Sequence, residues 1–306
     1  MEMNAKVIQD RRLKLQSGRK FFTRMESYFM IAPACLLVLF MTVIPYLAAV
    51  VMTFFNYSLT NPEKRFVGLE NYIRVLSMSD TWSSIFVSLK FLVVALALTI
   101  TAALAFALIL NLDIRFRAFF RSAFIFPWVI SFVVAGLMFS WFFDEQGGIV
   151  NIVLTSLRID ALPWLSEGTF AFTVVVLCYV WKSFPFAMIL FLAGLQGISK
   201  DYYEAVDVDG GGAPVKFFFV TVPFLKSQFK IVLVFLTIGI LNLIDVIYAI
   251  TNGGPGTSTR LISYYMYKQA FDNLEFSYST TIGMIIILLT LLLTVVYLKV
   301  IKVDDL

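Results

Sequence analysis

Apolar residues in this chain come in long unbroken runs rather than alternating or facing a polar stripe. Six stretches, at residues 28–55, 85–111, 119–143, 169–194, 224–250 and 279–301, are nearly free of charge. Each reaches or exceeds the ~20 apolar residues that span a bilayer core. In lipid every backbone N–H and C=O needs a partner within the segment, so runs of this length predict helices. A barrel would need short alternating strands, and none of these runs alternates. The pattern therefore predicts an all-α membrane protein with six transmembrane helices. The first run is too long for a cleaved signal peptide and no small-residue cleavage pattern follows it.

The segments between the runs differ in kind. Residues 1–27 form a basic tail without an apolar face. Residues 56–84 form a loop with an Asn61-Pro62 turn signal. In the 144–168 loop, Ile149 to Leu157 is apolar enough for a short interfacial helix, and Pro163-Trp164 suits a membrane boundary. The long polar interruption late in the chain, residues 199–223, carries Asp201, Glu204, Asp207 and Asp209, then Gly210, Gly211 and Gly212. Ser199 suits an N-cap, with acids in the first turns complementing the helix dipole. The glycines stop that helix, Pro214 suits the first turn of a second one, and Pro223 marks entry to the fifth run. A helix–turn–helix standing out of a membrane domain is well made for pushing against a partner. Residues 251–259 read as a tight turn.

Only 14% of residues are charged and 60% are hydrophobic, against about 25% charged in soluble domains. There is no histidine, and both cysteines, Cys35 and Cys178, fall inside runs. This argues against a zinc or haem site and against a disulfide framework. Lys and Arg set the orientation. With the N-terminus inside, sixteen fall in inner segments and six in outer ones, leaving Lys90 and Lys182 near or within spans. Both termini and residues 199–223 are then cytoplasmic, and the basic tail is a topology signal rather than a nucleic-acid arm. No glycine is followed by lysine, so the sequence holds no phosphate-cradling loop of the Walker type. An enzyme would need clustered acids, Ser/His pairs or metal ligands, and an ion-coupled carrier would show relay acids and inverted repeats. Asp245 is the only clear acid inside a run.

The polar interruption resembles the EAA loop of ABC importer membrane subunits, in which Glu-Ala-Ala is followed after three residues by Gly and, nine further on, by Ile-x-Leu-Pro. Glu204-Ala205-Val206, Gly210 and Val220-Thr221-Val222-Pro223 keep every spacing. Val206 replaces the second Ala, and Gly211 stands where Ala often follows the glycine. Thr251-Asn252-Gly253-Gly254-Pro255 is similar to the Thr-x-Gly-Gly-Pro signature of maltose-permease-like carbohydrate permeases. Asp245-Val246-Ile247-Tyr248, Trp181-Lys182 with Ala193 to Ile198, and Phe66 to Tyr72 match that family too. The likeness runs from about residue 28 to 300, without the large outer domain and extra N-terminal spans of the maltose permease itself. It implies a type I importer permease fold and a pathway for a carbohydrate, an oligosaccharide or modified sugar. Permeases for glycerol phosphate, amino acids or peptides are the alternative. It also implies as partners a second homologous permease, two ATPase subunits holding ATP and Mg, and an external solute-binding protein. This chain itself needs no cofactor.

The resemblance assigns ATPase coupling to Tyr203, Glu204, Ala205, Asp209, Gly210 and Pro223. Alignment on Trp181 and on Gly253-Gly254-Pro255 puts Tyr179, Lys182, Ser183, Phe186, Leu236, Gly239, Ile240 and Leu243 at the family's sugar-pocket positions. Trp181, Asn242 and Asp245 join them as sugar-binding residue types at mid-membrane depth. Several pocket positions are apolar here, so this subunit is expected to supply a wall while its partner makes most polar contacts. A charge at the bilayer centre costs about 2.5–3.5 kcal/mol on insertion scales. Lys182 and Asp245 should therefore face a wet cavity or pair with each other, and Lys182 is either a structural lysine or a cation for an anionic sugar.

Overall fold

A computed structural model describes residues 30–58 and 64–301; the basic tail of residues 1–27 and the Asn61-Pro62 turn lie outside the described residues. The first described helix is α1 (Met30–Met52), an apolar helix with no buried side chain. A short antiparallel pair follows, β1 (Phe55–Asn56) with β2 (Arg65–Phe66). Next come α2 (Glu70–Ser77) and α3 (Ser79–Asn111), then α4 (Arg117–Val129) and α5 (Phe132–Phe142), with the short α6 (Ile149–Ser156) beyond them. The long α7 (Gly168–Gln196) leads to α8 (Lys200–Val208), α9 (Ala213–Phe224) and α10 (Lys226–Leu241). The last elements are α11 (Asp245–Ile250), α12 (Ile262–Phe271) and α13 (Phe276–Val300).

Among the described residues, α1, α3, α7 and α13 are each long and apolar enough to cross a membrane, and two bent pairs, α4–α5 and α9–α10, qualify as broken spans. The core is built on α7, which packs along α3. The hydrophobic effect gives little drive between helices in lipid, so close packing must hold them, and small side chains permit it. Ala95, Ala103 and Ala107 of α3 are fully buried in this way, against Phe172 to Leu195 of α7.

Three elements depart from the linear reading. The third run is two helices at 96° rather than one. Pro127 has no N–H to donate, Ile130 and Ser131 are extended, and the Ser131 hydroxyl accepts from Val134 N–H at 3.3 Å to start α5. The fifth run stops at Leu241 instead of continuing to 250. Asn242 Nδ2 donates back to Ile238 C=O at 2.8 Å, the kind of side-chain competition that ends helices. The Leu243 carbonyl freed there accepts from Ser263 Oγ at 2.7 Å. The segment between the fifth and sixth runs holds more than a turn, because α12 folds back against α13.

The 144–167 segment is tied down by two side chains. Asn151, 5% exposed, donates to Glu145 and Leu162 carbonyls and accepts from Leu162 N–H and Trp164 Nε1–H. Glu145 Oε1 accepts from the Ser166 hydroxyl at 2.6 Å, from Ser166 N–H at 2.8 Å and from Leu165 N–H at 3.2 Å. Those bonds, the Ser166 hydroxyl first, hold the Glu145 carboxyl below the usual carboxylate range. A depressed folded value stabilises the loop above the ordinary pKa of about 4.3 and loses that contribution as pH falls through the folded value. Limited proteolysis within 144–167 should therefore accelerate below about pH 4, and Glu145→Gln should abolish this pH dependence. Asn151→Ala leaves buried donors and acceptors unpaired at about 1–3 kcal/mol each, and should open the same segment to protease at neutral pH.

Candidate functional site

The break in the third run and the wall of α7 together make a cavity of about 240 Å³. From α7 it takes Tyr179, Lys182, Ser183 and Phe186, and from α10 Phe235, Leu236, Ile238 and Gly239. Trp128 closes it from the end of α4 and Phe132 from the start of α5. The i, i+3, i+4 and i+7 spacing of the α7 residues puts them on one helical face.

Aromatic contacts fix the walls. Phe186 lies 4.1 Å from Phe235 and 5.9 Å from Trp128 between ring centroids, and Phe132 stacks on Tyr179 at 6.0 Å. Tyr179 OH donates to Leu236 C=O at 3.3 Å, tying α7 to α10. A Cβ on Gly239 would sit 3.3 Å from that hydroxyl, so only a small residue keeps this wall open. Lys182 Nζ donates to Trp128 C=O at 3.2 Å and lies 4.2 Å from the Phe132 ring centroid. A carbonyl in the last turn of a helix has no intrahelical partner, and Lys182 reaches the one that the bend leaves free.

The cavity gathers Tyr179, Lys182, Ser183, Phe186, Leu236 and Gly239 and leaves other expected residues elsewhere. Trp181 turns away to pack on Phe139 at 5.6 Å. Ile240 and Leu243 are buried in the core, and Asn242 is taken up with Ile238. Asp245 is exposed in the first turn of α11 and forms no ion pair with Lys182, which was one of the two arrangements expected for them. Trp128, Phe132, Phe235 and Ile238 are lining residues that sequence reasoning missed. Trp128 and Phe132 straddle a break that the run of apolar residues hid. Phe235 and Ile238 were within reach, since they flank Leu236 and Gly239 on one helix.

The second assembly is α8 and α9. Ser199 Oγ accepts from Asp201 N–H at 3.3 Å at the head of α8. At its tail Gly210 has φ of +76°, Gly211 N–H donates to Val206 C=O at 2.8 Å and Gly210 N–H to Asp207 C=O at 3.0 Å. This is a Schellman stop, with glycine at the left-handed position. Gly211 is needed for space, because an added Cβ would lie 2.5 Å from Val206 Cγ1. α9 returns against α8 through three contacts. Tyr203 OH meets Thr221 Oγ1 at 3.1 Å, Lys216 pairs with Asp207 at 2.6 Å, and the Tyr202 and Phe224 rings lie 4.7 Å apart. Pro223, half-buried, sits in the final turn of α9 just before the bend. Glu204, Ala205 and Asp209 are exposed, as are Val208, Phe218 and Phe219.

The family described as "Binding-protein-dependent transport system inner membrane component" matches residues 99–302. The chain is 32% identical over 283 residues to the sulfoquinovosyl glycerol transport system permease protein SmoG of Agrobacterium fabrum, covering 92% of each. It is 34% identical over 287 residues to the trehalose/maltose transport system permease protein MalF of Thermococcus litoralis, covering 94% of this chain and 97% of that one. A chain of the bacterial alginate ABC transporter, solved with an alginate pentasaccharide-bound periplasmic protein, superposes with a TM-score of 0.77 at 18% identity over 93% of this chain and 98% of its own. The fold is that of ABC transporter permeases, and the chain belongs to the binding-protein-dependent transport system inner membrane component family.

Proposed function

We propose that the chain lines the pathway of an ATP-driven carbohydrate importer together with a second permease subunit. An external binding protein delivers the cargo, and separate ATPase subunits hold ATP and Mg. The observation that carries the reading is a continuity. α7 supplies one wall of the cavity and runs through Gly197 to Ser199 into α8. α10 supplies the facing wall and begins one residue after α9, across a 65° bend at the fully buried Leu225. The two short helices of the exposed loop are therefore the direct extensions of the two helices that bound the cavity.

A load on α8 and α9 is transmitted to that cavity through helices rather than through flexible chain. ATPase subunits closing on nucleotide would press on the exposed surface around Glu204, Asp209 and Gly210, and the helices would tilt between two access states. This is a population shift driven by a ligand on another subunit. The aromatic walls suit the C–H faces of sugar rings, with Tyr179 OH, Ser183 and Lys182 as polar groups. The cargoes named for the relatives, sulfoquinovosyl glycerol, trehalose/maltose and, for the solved transporter, alginate, support a carbohydrate.

The orientation places α8 and α9 in the cytoplasm and the Thr251–Arg260 turn outside. Single cysteines at Ser199 and Thr257, both exposed, test it in intact cells. Thr257→Cys should react with an impermeant maleimide and Ser199→Cys only with a permeant one. The reverse pattern would invert the topology and remove the coupling argument.

The loop itself is tested at Gly210, where an added Cβ meets nothing within 4 Å but the backbone is left-handed. Gly210→Ala should cost about 1–2 kcal/mol through that angle alone, and Gly210→Trp adds bulk on the docking face. Cargo-stimulated ATP hydrolysis by the assembled complex should fall roughly tenfold for Gly210→Trp, the equivalent of about 1.4 kcal/mol. Glu204→Ala should also reduce it. Solute binding to the isolated external protein should not change. Normal transport by Gly210→Trp would refute the docking role.

A further inference from the structure

We propose that the cargo carries an oxyanion, a carboxylate, sulfonate or phosphate group on the saccharide, and that the Lys182 ammonium is the group that receives it. This rests on the carbohydrate-importer reading and narrows it to a charge class. Lys182 is the one charged residue lining the cavity, and no carboxylate lines it. The side chain is 7% exposed. Of its three N–H donors, one goes to the neutral Trp128 carbonyl at 3.2 Å, while the Phe132 ring offers its face at 4.2 Å. Neither contact supplies negative charge.

Arg74, Lys216, Arg260 and Lys268 form ion pairs, all outside the cavity. Asp245 lies exposed at the head of α11. A cation whose remaining donors face an aromatic-walled space is an incomplete pair. In such surroundings a charge-assisted bond to an oxyanion is much stronger than in water. A sugar ring on the Phe186, Phe235 and Trp128 surfaces, with an acidic substituent toward α7, would use every kind of group the cavity presents. The bond to Trp128 aims the ammonium while leaving donors free, so bracing the bend and meeting the anion are compatible roles.

The test uses the complete importer, with its second permease, ATPases and binding protein, in proteoliposomes. It is offered a mixture of neutral oligosaccharides and the same oligosaccharides oxidised at C6 to uronic acids, and the trapped contents are read by mass spectrometry. Acidic members should accumulate. Lys182→Met should reduce their uptake relative to neutral members by at least ~30-fold, as expected when one partner of a shielded charge pair is removed. Lys182→Arg should retain most of the preference. Because Lys182→Met also releases the Trp128 carbonyl and so weakens assembly, Gly239→Asp provides a second arm. It leaves the Lys182–Trp128 bond in place and sets a carboxylate in the cavity wall, and a Gly239→Ala control carries the same crowding of Tyr179 OH without the charge; relative to that control, acidic cargo should be suppressed in the same way. Trapping of neutral members only, or acidic uptake indifferent to both Lys182→Met and Gly239→Asp, overturns the proposal. Trapping of no saccharide of either kind by a complex that hydrolyses ATP overturns the carbohydrate reading itself, and this inference with it.

Discussion

A helix that breaks inside an apolar layer frees backbone carbonyls and N–H groups that bulk water does not reach, and each needs a partner within the protein. That requirement organises the centre of this molecule. The break after Val129 leaves the Trp128 carbonyl, taken by Lys182, and begins α5 with Val134 N–H, taken by Ser131. The break after Leu241 leaves the Leu243 carbonyl, taken by Ser263. Each donor or acceptor comes with a packing consequence, because Lys182 ties the end of α4 to α7, and Ser263 fastens α12 to the end of α10. The cavity exists because the third run turns by 96° instead of passing straight through.

A broken span is mechanically different from an intact one. α7 is a single 29-residue helix that runs on through Pro185 and has the most extensively buried surface of the four single-helix candidate spans. α4–α5 and α9–α10 each contain a corner whose geometry is held by a few bonds. The cavity is bounded by the unbroken helix on one side and the cornered ones on the other, and the Tyr179–Leu236 hydrogen bond ties α7 to α10 beside it. In the proposed function this divides the work, with α7 as reference frame and the cornered helices as moving parts.

Much of this was legible in the chain. Long apolar runs bounded by charge carry helix positions directly, since bilayer thickness fixes their length, and four of the runs differ from the helices by no more than about six residues at either end. The glycine stop of α8 was legible because a left-handed residue has a composition signature, and Gly210 takes it. The breaks were not, because the side chains that compensate them come from elsewhere in sequence. Trp128 is met by Lys182, 54 residues away, and Leu243 by Ser263, 20 away. Without those partners Pro127 and Asn242 read as ordinary interruptions of a hydrophobic run. The same blindness left pairing with Asp245 open as one of two arrangements for Lys182. Both are charges in apolar surroundings, and the residue that answers Lys182 is a backbone carbonyl, which sequence does not distinguish from any other.

The exposed loop poses the opposite problem, since it stands where water competes for every polar contact. The Lys216–Asp207 pair, with the carboxylate more than half exposed, contributes at most about 1 kcal/mol in such a setting. It cannot by itself hold α8 on α9. What fixes the angle is geometry that water cannot replace: the Schellman stop at Gly210, the close fit of Gly211 under Val206, and the Tyr202–Phe224 contact. These sit at the two ends of the helix pair, one at the turn and the other where the chain re-enters the bundle. A pair clamped at both ends moves as a unit, so a push on its exposed face is not absorbed by the turn and reaches the bend at Leu225. For a part whose proposed task is to carry force between subunits, that clamping matters more than the strength of any single contact it makes with them.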